Sequence, residues 1–469
     1  MAWWNFGKVK ENENRFYEAF YSLMGVNQVS WLKNESATYV EKGYSDNEIV
    51  YSVLQVLLNK IKTVPAIISE VVDEKAFRKY NGYSVKSADD ITRIASNIFK
   101  RKALQELGEH PLYDLLERPN EYQTWTEFLE ALYGFRKLLG EAFIYGIGPG
   151  TDSKDFGKFT ELHVLPSHLV NIVYSGDYNH PVKGYTFTIG TSNVIPLEAA
   201  NVMHWKSWNP NFDTNGTQLR GLSPLKPGNK TLTRNGFNQT AQTQSFVNGG
   251  VAHLLSGDPN QKMSPDQMSQ MNDLLKKQLK GADNFNNILM TNGFVRVDKI
   301  GANPADLQLL ESDKQDRIKI CSIFGVDPIL IGDQSSSSYN NKEQAYKALV
   351  TNVIMPDLIE LRDKLQIFLM DRYQETSALG IVKKRLHLDF DTTVFPELQP
   401  DLKLMKEVYG SMWQITPNEL RSIFNWDASE QEGMNEIYIP SGMMKLSDQG
   451  IPDSAFSKAF ENVKYNDYE

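Results

Sequence analysis

Cysteine is all but missing: Cys321 stands alone in a chain of 469 residues. A single thiol cannot close an internal disulfide, and no Cys/His cluster has the spacing of a structural zinc site, so a reducing compartment is expected. Histidine is scarce as well, with 7 residues and no HExxH-type pair, which argues against a metalloenzyme. Nowhere do about 18 apolar residues run together, and residues 1–15 (MAWWNFGKVKENENR) are aromatic and then charged, with no apolar stretch. Neither a membrane-spanning helix nor a secretory signal is expected. Positive charge is short too: 49 Lys and Arg against 58 Asp and Glu leave −9. That is too acidic for a protein that coats nucleic acid, although a local basic stripe can still face phosphate.

What is present is close to globular average, at 41% hydrophobic and 23% charged residues, which excludes collagen-like, disordered and coiled-coil classes. At roughly 150 residues per domain the length suggests about three units. Ile49, Val50, Val53, Leu54, Leu57, Leu58 and Ile61 fall on one helical face over 47–62, and Pro65 ends the segment. Thr124 and Glu127 have capping-box spacing ahead of a helix over 125–140. Short β-like runs follow at 141–145, 162–165, 170–174, 185–189 and 202–205, separated by turn residues. An α+β domain is therefore expected over 40–222.

From Ser223 to Gly249 there is no Asp or Glu, and Asn, Gln and Thr dominate. A long polar helix is predicted, with Pro227 and Gly228 leaving its first turn open. A β, α, β pattern comes next: 251–255, a helix opened by Ser264, Pro265 and Gln267, then 288–290 and 294–297. Helices are expected over 307–324 and over 342–373, the latter kinked at Pro356. A polar stretch containing Ser335, Ser336, Ser337, Ser338 and Tyr339 lies between them and reads as a mobile loop. The end of the chain carries a strand at 385–390, a helix near 401–412 and another from Pro417, capped by Thr416 through Glu419.

Several motifs invite a chemical reading. GIGPGTDSKD at 146–155 lacks the following helix that a phosphate loop requires, so it reads as a turn. Asp389 and Asp391 could hold a divalent cation and serve a metal-dependent phosphoesterase. They have no third carboxylate nearby in sequence, and a solvated strand face is the plainer reading. Cys321 sits among Ile318, Ile320, Ile323 and Phe324, the setting of a small core residue rather than of an activated nucleophile. Lys226, Lys230 and Arg234 recur at i, i+4 and i+8, on one face of a helix with no acid of its own. They form either a solvated basic face or a strip facing a polyanion.

Six segments carry a resemblance in order: HPLYDLLERPNEYQTWTEFLEALYGFRKLLGEAFIYG at 110–146, LHVLPSHLVNIV at 162–173, RGLSPL at 220–225, IFGVDPILIGD at 323–333, MPDLIELRDKL at 355–365 and ITPNELR at 415–421. Together they are similar to the portal proteins of tailed bacteriophages, in the large group of long-tailed phages, over about 45–425. Glu141 departs from the Gly-Asn-Ala that the family often has, and Asp327 from a Pro-Pro pair.

The resemblance implies an α+β, multi-part portal fold assembled as a ring of about twelve subunits. Its parts would be an N-terminal arm (1–39), wing (40–222), stem helix (223–249), small β-α-β clip (250–306) and second stem helix (307–324). A tunnel loop (325–342), a kinked helix completing the wing (343–400), and a helical crown with tail (401–469) would follow. The function implied is a channel for double-stranded DNA at one capsid vertex, with terminase, the major capsid protein and a head-tail adaptor as partners. No cofactor, metal, membrane or enzymatic activity is expected. Assembly would occur in the host cytoplasm before the protein enters the virion. Lys226, Lys230 and Arg234 are the candidate DNA-facing residues, by inference from their spacing. A non-channel head scaffold or adaptor is the alternative.

Overall fold

The computed structural model describes residues 39–84, 90–150, 155–177, 179–190, 193–211, 216–247, 253–257, 295–299, 309–332, 339–374, 385–399, 414–424 and 428–439, with a few short pieces besides. Ser335 to Ser338 lie outside the described residues, as do residues 1–38, most of the helices expected from Ser264 and near 401–412, and the final tail.

In chain order the elements are α1 (Glu48–Ile61), β1 (Ala66–Val71), α2 (Glu74–Ser84), α3 (Asp90–Ala103), β2 (Leu104–Glu106), α4 (Pro111–Glu117) and α5 (Trp125–Leu139). Six strands follow: β3 (Glu141–Ile147), β4 (Glu161–Leu165), β5 (Val170–Tyr174), β6 (Val182–Ile189), β7 (Asn193–Glu198) and β8 (Val202–Lys206). Then come α6 (Leu225–Val247), β9 (His253–Gly257), β10 (Val295–Lys299), α7 (Leu309–Phe324), α8 (Tyr339–Leu349), α9 (Met355–Leu365), β11 (Leu386–Phe390) and α10 (Pro417–Ile423). The result is a mixed α and β fold with several helices and small antiparallel sheets. Two compact units divide it, Met1–Val64 with Pro111–Ile354, and Pro65–His110 with Met355–Glu469.

In the first unit, the Asn47 side chain accepts the Ile49 and Val50 amides at 3.1 and 3.0 Å and so caps α1, whose apolar face is buried as the periodicity predicts. That face packs on α5, which opens on the expected Thr124/Glu127 capping box and closes at Gly140 in the left-handed region, φ 78°. β3 starts at the next residue and lies between β4 and β8, while β5, β6 and β7 form a separate antiparallel meander. Phe143, Leu165, Val170, Ile172, Tyr185, Leu197, Val202 and Leu219 from both sheets share one core. The glycine-containing segment after Ile147 leads to β4, with the Thr160 amide returning to the Ile147 carbonyl at 2.7 Å. Among the described residues no helix follows it, in keeping with a turn. β9 and β10 pair antiparallel, from His253 opposite Lys299 to Gly257 opposite Val295.

The second unit is built on the sheet β11–β1–β2, with Ile67 opposite Asp389 and Ser69 opposite both His387 and Glu106. Phe77 and Tyr80 of α2 and Ala103 of α3 pack into one cluster beside it. Every residue of β11 is buried, so the solvated face expected for Asp389 is not what forms. Its carboxylate accepts the Tyr80 hydroxyl at 2.6 Å and pairs with Lys100 at 2.6 Å, both brought over the strand by α2 and α3. Burial opposes that charge, but Lys100 and Tyr80 outweigh it and hold the carboxyl below its usual range. Asp391 instead accepts the Thr393 amide at 2.9 Å and caps the 3-10 turn Thr392–Val394.

The helix expected over 342–373 is interrupted. A π-helical turn, Val350–Ile354, precedes α9 and another, Gln366–Met370, follows it. Pro356 is the second residue of α9, where its missing N–H is best tolerated, and the widened turn before it takes up the break.

Candidate functional site

The polar helix α6 begins at an elbow formed by two of the sequence motifs. Gly140 and Glu141 meet Arg220–Ser223 so closely that a Cβ on Gly221 would lie 2.1 Å from the Gly140 carbonyl oxygen, and one on Gly140 would lie 2.2 Å from that of Leu222. Only glycine permits this approach. The Ser223 hydroxyl donates to the Leu138 carbonyl at 2.8 Å and accepts the Leu225 amide at 3.2 Å, tying α5 to the start of α6.

Glu141, 1% exposed, is the hub of the elbow. Its carboxylate accepts the Gly221 amide at 2.8 Å, contacts His204 Nε2 at 3.1 Å and forms a short ion pair with Arg220. Arg220 in turn donates to the Val170 carbonyl at 2.7 Å. One carboxylate thus joins β3, β8 and the residues leading into α6. Burial works against its charge, but Arg220, His204 and the Gly221 amide outweigh it and hold the carboxyl below its ordinary value. Burial pushes His204 down despite the carboxylate beside it.

Beyond the elbow, α6 runs against α7. Pro227 falls within the first turn, where the amide it lacks has no helical partner. Gly228 permits close approach, since a Cβ there would lie 2.6 Å from Ile323 Cδ1. These two residues, which left the first turn open in the sequence, are compatible with the helix for those reasons. Apolar contact is concentrated at this end, where Leu225, Ile320, Cys321 and Phe324 are buried; Cys321 is the core residue its neighbours suggested.

Farther along, polar groups join the pair. Arg234 Nε donates to both carboxylate oxygens of Asp316 at 3.1 Å, and Asp316 is fully buried. Asn235 Nδ2 reaches Asp313 at 2.8 Å, and Asn238 Nδ2 reaches the Ser312 hydroxyl at 3.1 Å. Asn47, the cap of α1, donates to the Asn235 side chain at 3.1 Å.

The three basic residues therefore have different surroundings. Lys226 and Lys230 are exposed, while Arg234 is engaged by an acid that lies 82 positions away on α7. Tyr339 opens α8, and Ser335 to Ser338 are outside the described residues. The sequence reading missed Glu141, Arg220 and Asp316 as site residues. A usable signal existed for Asp316: α6 carries cations and no acid, while α7 (LLESDKQDRIKICSIF) supplies Glu311, Asp313 and Asp316. Among the described residues no group of three His, Cys, Asp or Glu is gathered to hold a metal ion, and no helix is long and apolar enough to cross a membrane.

A family model described as phage portal protein matches residues 88–425, well over half of the chain. The chain belongs to the phage portal protein family. It is 24% identical over 264 residues to the portal protein of Enterobacteria phage HK97, covering 56% of this chain and 58% of that one. It is also 23% identical over 285 residues to an uncharacterized protein of Rickettsia bellii, covering 59% of this chain and 70% of that protein. In fold it is similar to a chain from the neck of a native gene transfer agent (GTA) particle computed with C12 symmetry, with a TM-score of 0.58, 19% identity and coverage of 88% and 99%. A chain from the neck of the empty particle, computed with C6 symmetry, gives 0.58 at 20% identity with coverage of 86% and 96%. Membership of the portal family carries a general role in the DNA channel and in packaging, as a structural protein rather than an enzyme.

Proposed function

We propose that this chain assembles into a closed ring of about twelve copies through head-to-tail contacts, forming the channel through which double-stranded DNA enters and leaves a capsid at one vertex. The observation that carries this reading is the pair α6 and α7, in a portal-family chain whose fold is similar to neck proteins of C12- and C6-computed particles. Among the described residues the buried apolar contact of the pair lies at the elbow end, where α6 starts and α7 finishes, and polar side chains join it farther along. Such a pair suits a wet channel wall.

In this reading 223–249 and 307–324 are the stem, 40–222 the wing completed by 343–400, and 250–306 the clip. The clip docks terminase during packaging and the head-tail adaptor afterwards. Residues 325–342, with Ser335 to Ser338 and Tyr339, form the tunnel loop, and 401–469 the crown. The wing meets the major capsid protein. The ring is assembled in the host cytoplasm and ends in the virion.

Lys226 and Lys230, exposed on the helix, would repeat around the ring as sparse basic belts. Arg234 could join them only with the part of its guanidinium that Asp316 leaves accessible. Sparse belts suit DNA that must slide, because a continuous basic lining would hold phosphates. Overall acidity of −9 agrees with that requirement.

Native mass spectrometry and electron microscopy of the purified chain test the proposal. Closed rings with an axial pore wide enough for a DNA duplex are expected. Monomers or dimers at every salt concentration, or a ring too narrow for a duplex, would defeat it, and the narrow ring would favour the adaptor reading.

A further inference from the structure

The net charge of −9 is not spread evenly along the chain. Residues 74–103, which hold α2, α3 and the residues between them, carry 8 Lys and Arg against 3 Asp and Glu, leaving +5. A concentration of this sign within an acidic chain is what a surface for a polyanion requires. Among the described residues, Lys75, Arg78 and Lys79 of α2 and Arg101 and Lys102 of α3 are exposed.

Several charges of the helix pair are already engaged. Lys100 pairs with the buried Asp389 at 2.6 Å, Arg101 donates to the Trp426 carbonyl at 2.6 Å, and Glu74 pairs with Arg385 at 3.4 Å. Asp73, just ahead of α2, accepts the Lys75 and Ala76 amides at 2.8 and 3.1 Å and so caps the helix. Asp90 opens α3, about 18 Å along the axis from Lys102. Lys75, Arg78, Lys79 and Lys102 form no ion pair among the described residues.

Packing fixes where these four lie. Ala76, Phe77 and Tyr80 turn α2 inward onto Ala103 of α3, which leaves Lys75, Arg78 and Lys79 on its outer face. Tyr83, 37% exposed, stacks on Phe99 with ring centroids 5.5 Å apart, and Lys79 Nζ lies 5.1 Å from the centre of the Phe99 ring. Lys102, three residues beyond Phe99, falls on the same side of α3. An aromatic seam thus carries cations of both helices on one face. Lys75 and Lys79 stand one turn apart, about 6 Å, a fixed spacing that suits a regular phosphate backbone. Tyr83 alone among these rings is exposed, so the face lacks the succession of stacking platforms that single strands use.

We propose that the outer face of α2 and α3 binds the backbone of double-stranded DNA through Lys75, Arg78, Lys79 and Lys102, independently of Lys226 and Lys230. The choice of DNA as the polyanion rests on the function proposed above; the charged face does not depend on which helices line a channel.

The test is filter binding of the full-length chain to a labelled closed-circular duplex, which has no end to thread into a ring. Four phosphate contacts give a slope of about −3.6 for log K against log salt concentration, so affinity should fall at least about 100-fold between roughly 50 and 200 mM salt. K75Q/R78Q/K79Q/K102Q should make that slope shallower by about 3–4, while K226Q/K230Q should bind as the native chain does. R78Q/K102Q, which keeps the contact of Lys79 with Phe99, should make it shallower by about 2, and it decides the matter if circular dichroism shows the fourfold variant unfolded.

No binding of the circle, or an unchanged affinity and slope in the variants, overturns the proposal. Loss of the ring in a folded variant would make the face a contact between copies, and competition by polyglutamate as effective as DNA at equal charge would assign it to an acidic protein; either result overturns it as well. A native chain that forms no ring yet shows the expected losses would defeat the proposed channel and leave this surface standing.

Discussion

Replacing Glu141 by Gln isolates what the elbow contributes, because the side chain keeps its size and loses its charge. In the native protein the carboxylate is 1% exposed and accepts from Gly221, His204 and Arg220, whose guanidinium is itself buried. Glutamine can still accept one or two of these bonds but leaves Arg220 as an uncompensated buried cation. Removing one partner of a buried ion pair costs about 3–5 kcal/mol. At about 2.1 cal/mol/K per residue, a unit of about 300 residues shifts by roughly 1.5 °C per kcal/mol, so the lower figure lowers the melting temperature by about 5 °C.

The assay is urea and thermal unfolding at pH 7.5, where His204 is neutral in both states. The double variant E141M/R220M supplies the control, since exchanging an entire buried pair for apolar groups is often close to neutral. It should be more stable than E141Q. Acid provides a second readout. Glu141 has a folded-state pKa below its unfolded value, so its contribution is complete above about pH 4.3 and is lost as pH falls through the lower, folded value. E141Q should lack that acid-dependent loss. A cost below about 0.5 kcal/mol, or a double variant no more stable than E141Q, would refute the hub assignment.

Glycine substitutions distinguish two kinds of close approach. G221A drives a Cβ into the Gly140 carbonyl and should prevent the elbow from closing, whereas G228A meets only the tip of Ile323, which can move. Thermal unfolding should therefore show a large loss for G221A and, for G228A, a change within about 1 kcal/mol, where better helix propensity offsets the displaced side chain. His387, packed edge-on to Phe77, has a pKa lowered by burial to about 4, despite the nearby Asp389. The unfolded chain takes up a proton that the folded one refuses between about pH 6.5 and 4, so stability should fall by up to roughly 3 kcal/mol on acidification through that window. H387Q should flatten the slope in pH-dependent unfolding. K226Q/K230Q should leave unfolding and ring size unchanged while altering the salt dependence of packaging, and R234Q should loosen α6 from α7, detectable as faster amide exchange in both helices. Deleting Ser335 to Ser338 should preserve the ring and impair packaging or retention of DNA, measured by nuclease protection.

Much of the fold was legible because local chemistry decided it. The Asn47 cap, the Thr124/Glu127 box and the apolar periodicity of α1 and α5 are each set within a few residues, and the structure forms them. The strands β3 to β6 and β8 were visible for the same reason, while β7 (NVIPLE) was hidden by its proline. The second unit was much less readable. β1 pairs with β11 more than 300 positions later, and no local pattern encodes that partnership. The error on Asp389 has the same origin. A charged residue in a short strand reads as solvent-facing until two helices from distant sequence bring Lys100 and Tyr80 over it.

The basic stripe illustrates what spacing cannot decide. Lys226, Lys230 and Arg234 were correctly read as recurring along one helix, but the helix alone did not reveal that an acid of α7 takes the third. In water an ion pair of this kind adds little stability. Asp316 is fully buried, however, and a one-turn slip of α6 along α7 would strand its charge without a partner. Asn235 and Asn238 impose the same condition at neighbouring turns, since each loses a specific acceptor on slipping. The contacts therefore penalise wrong registers more than they reward the right one. An apolar seam would tolerate sliding better, because one leucine contact resembles the next. If the chain assembles into the proposed ring, a polar seam of this kind would fix the geometry of the α6–α7 pair in every copy while leaving its outer faces free to meet water or a neighbour.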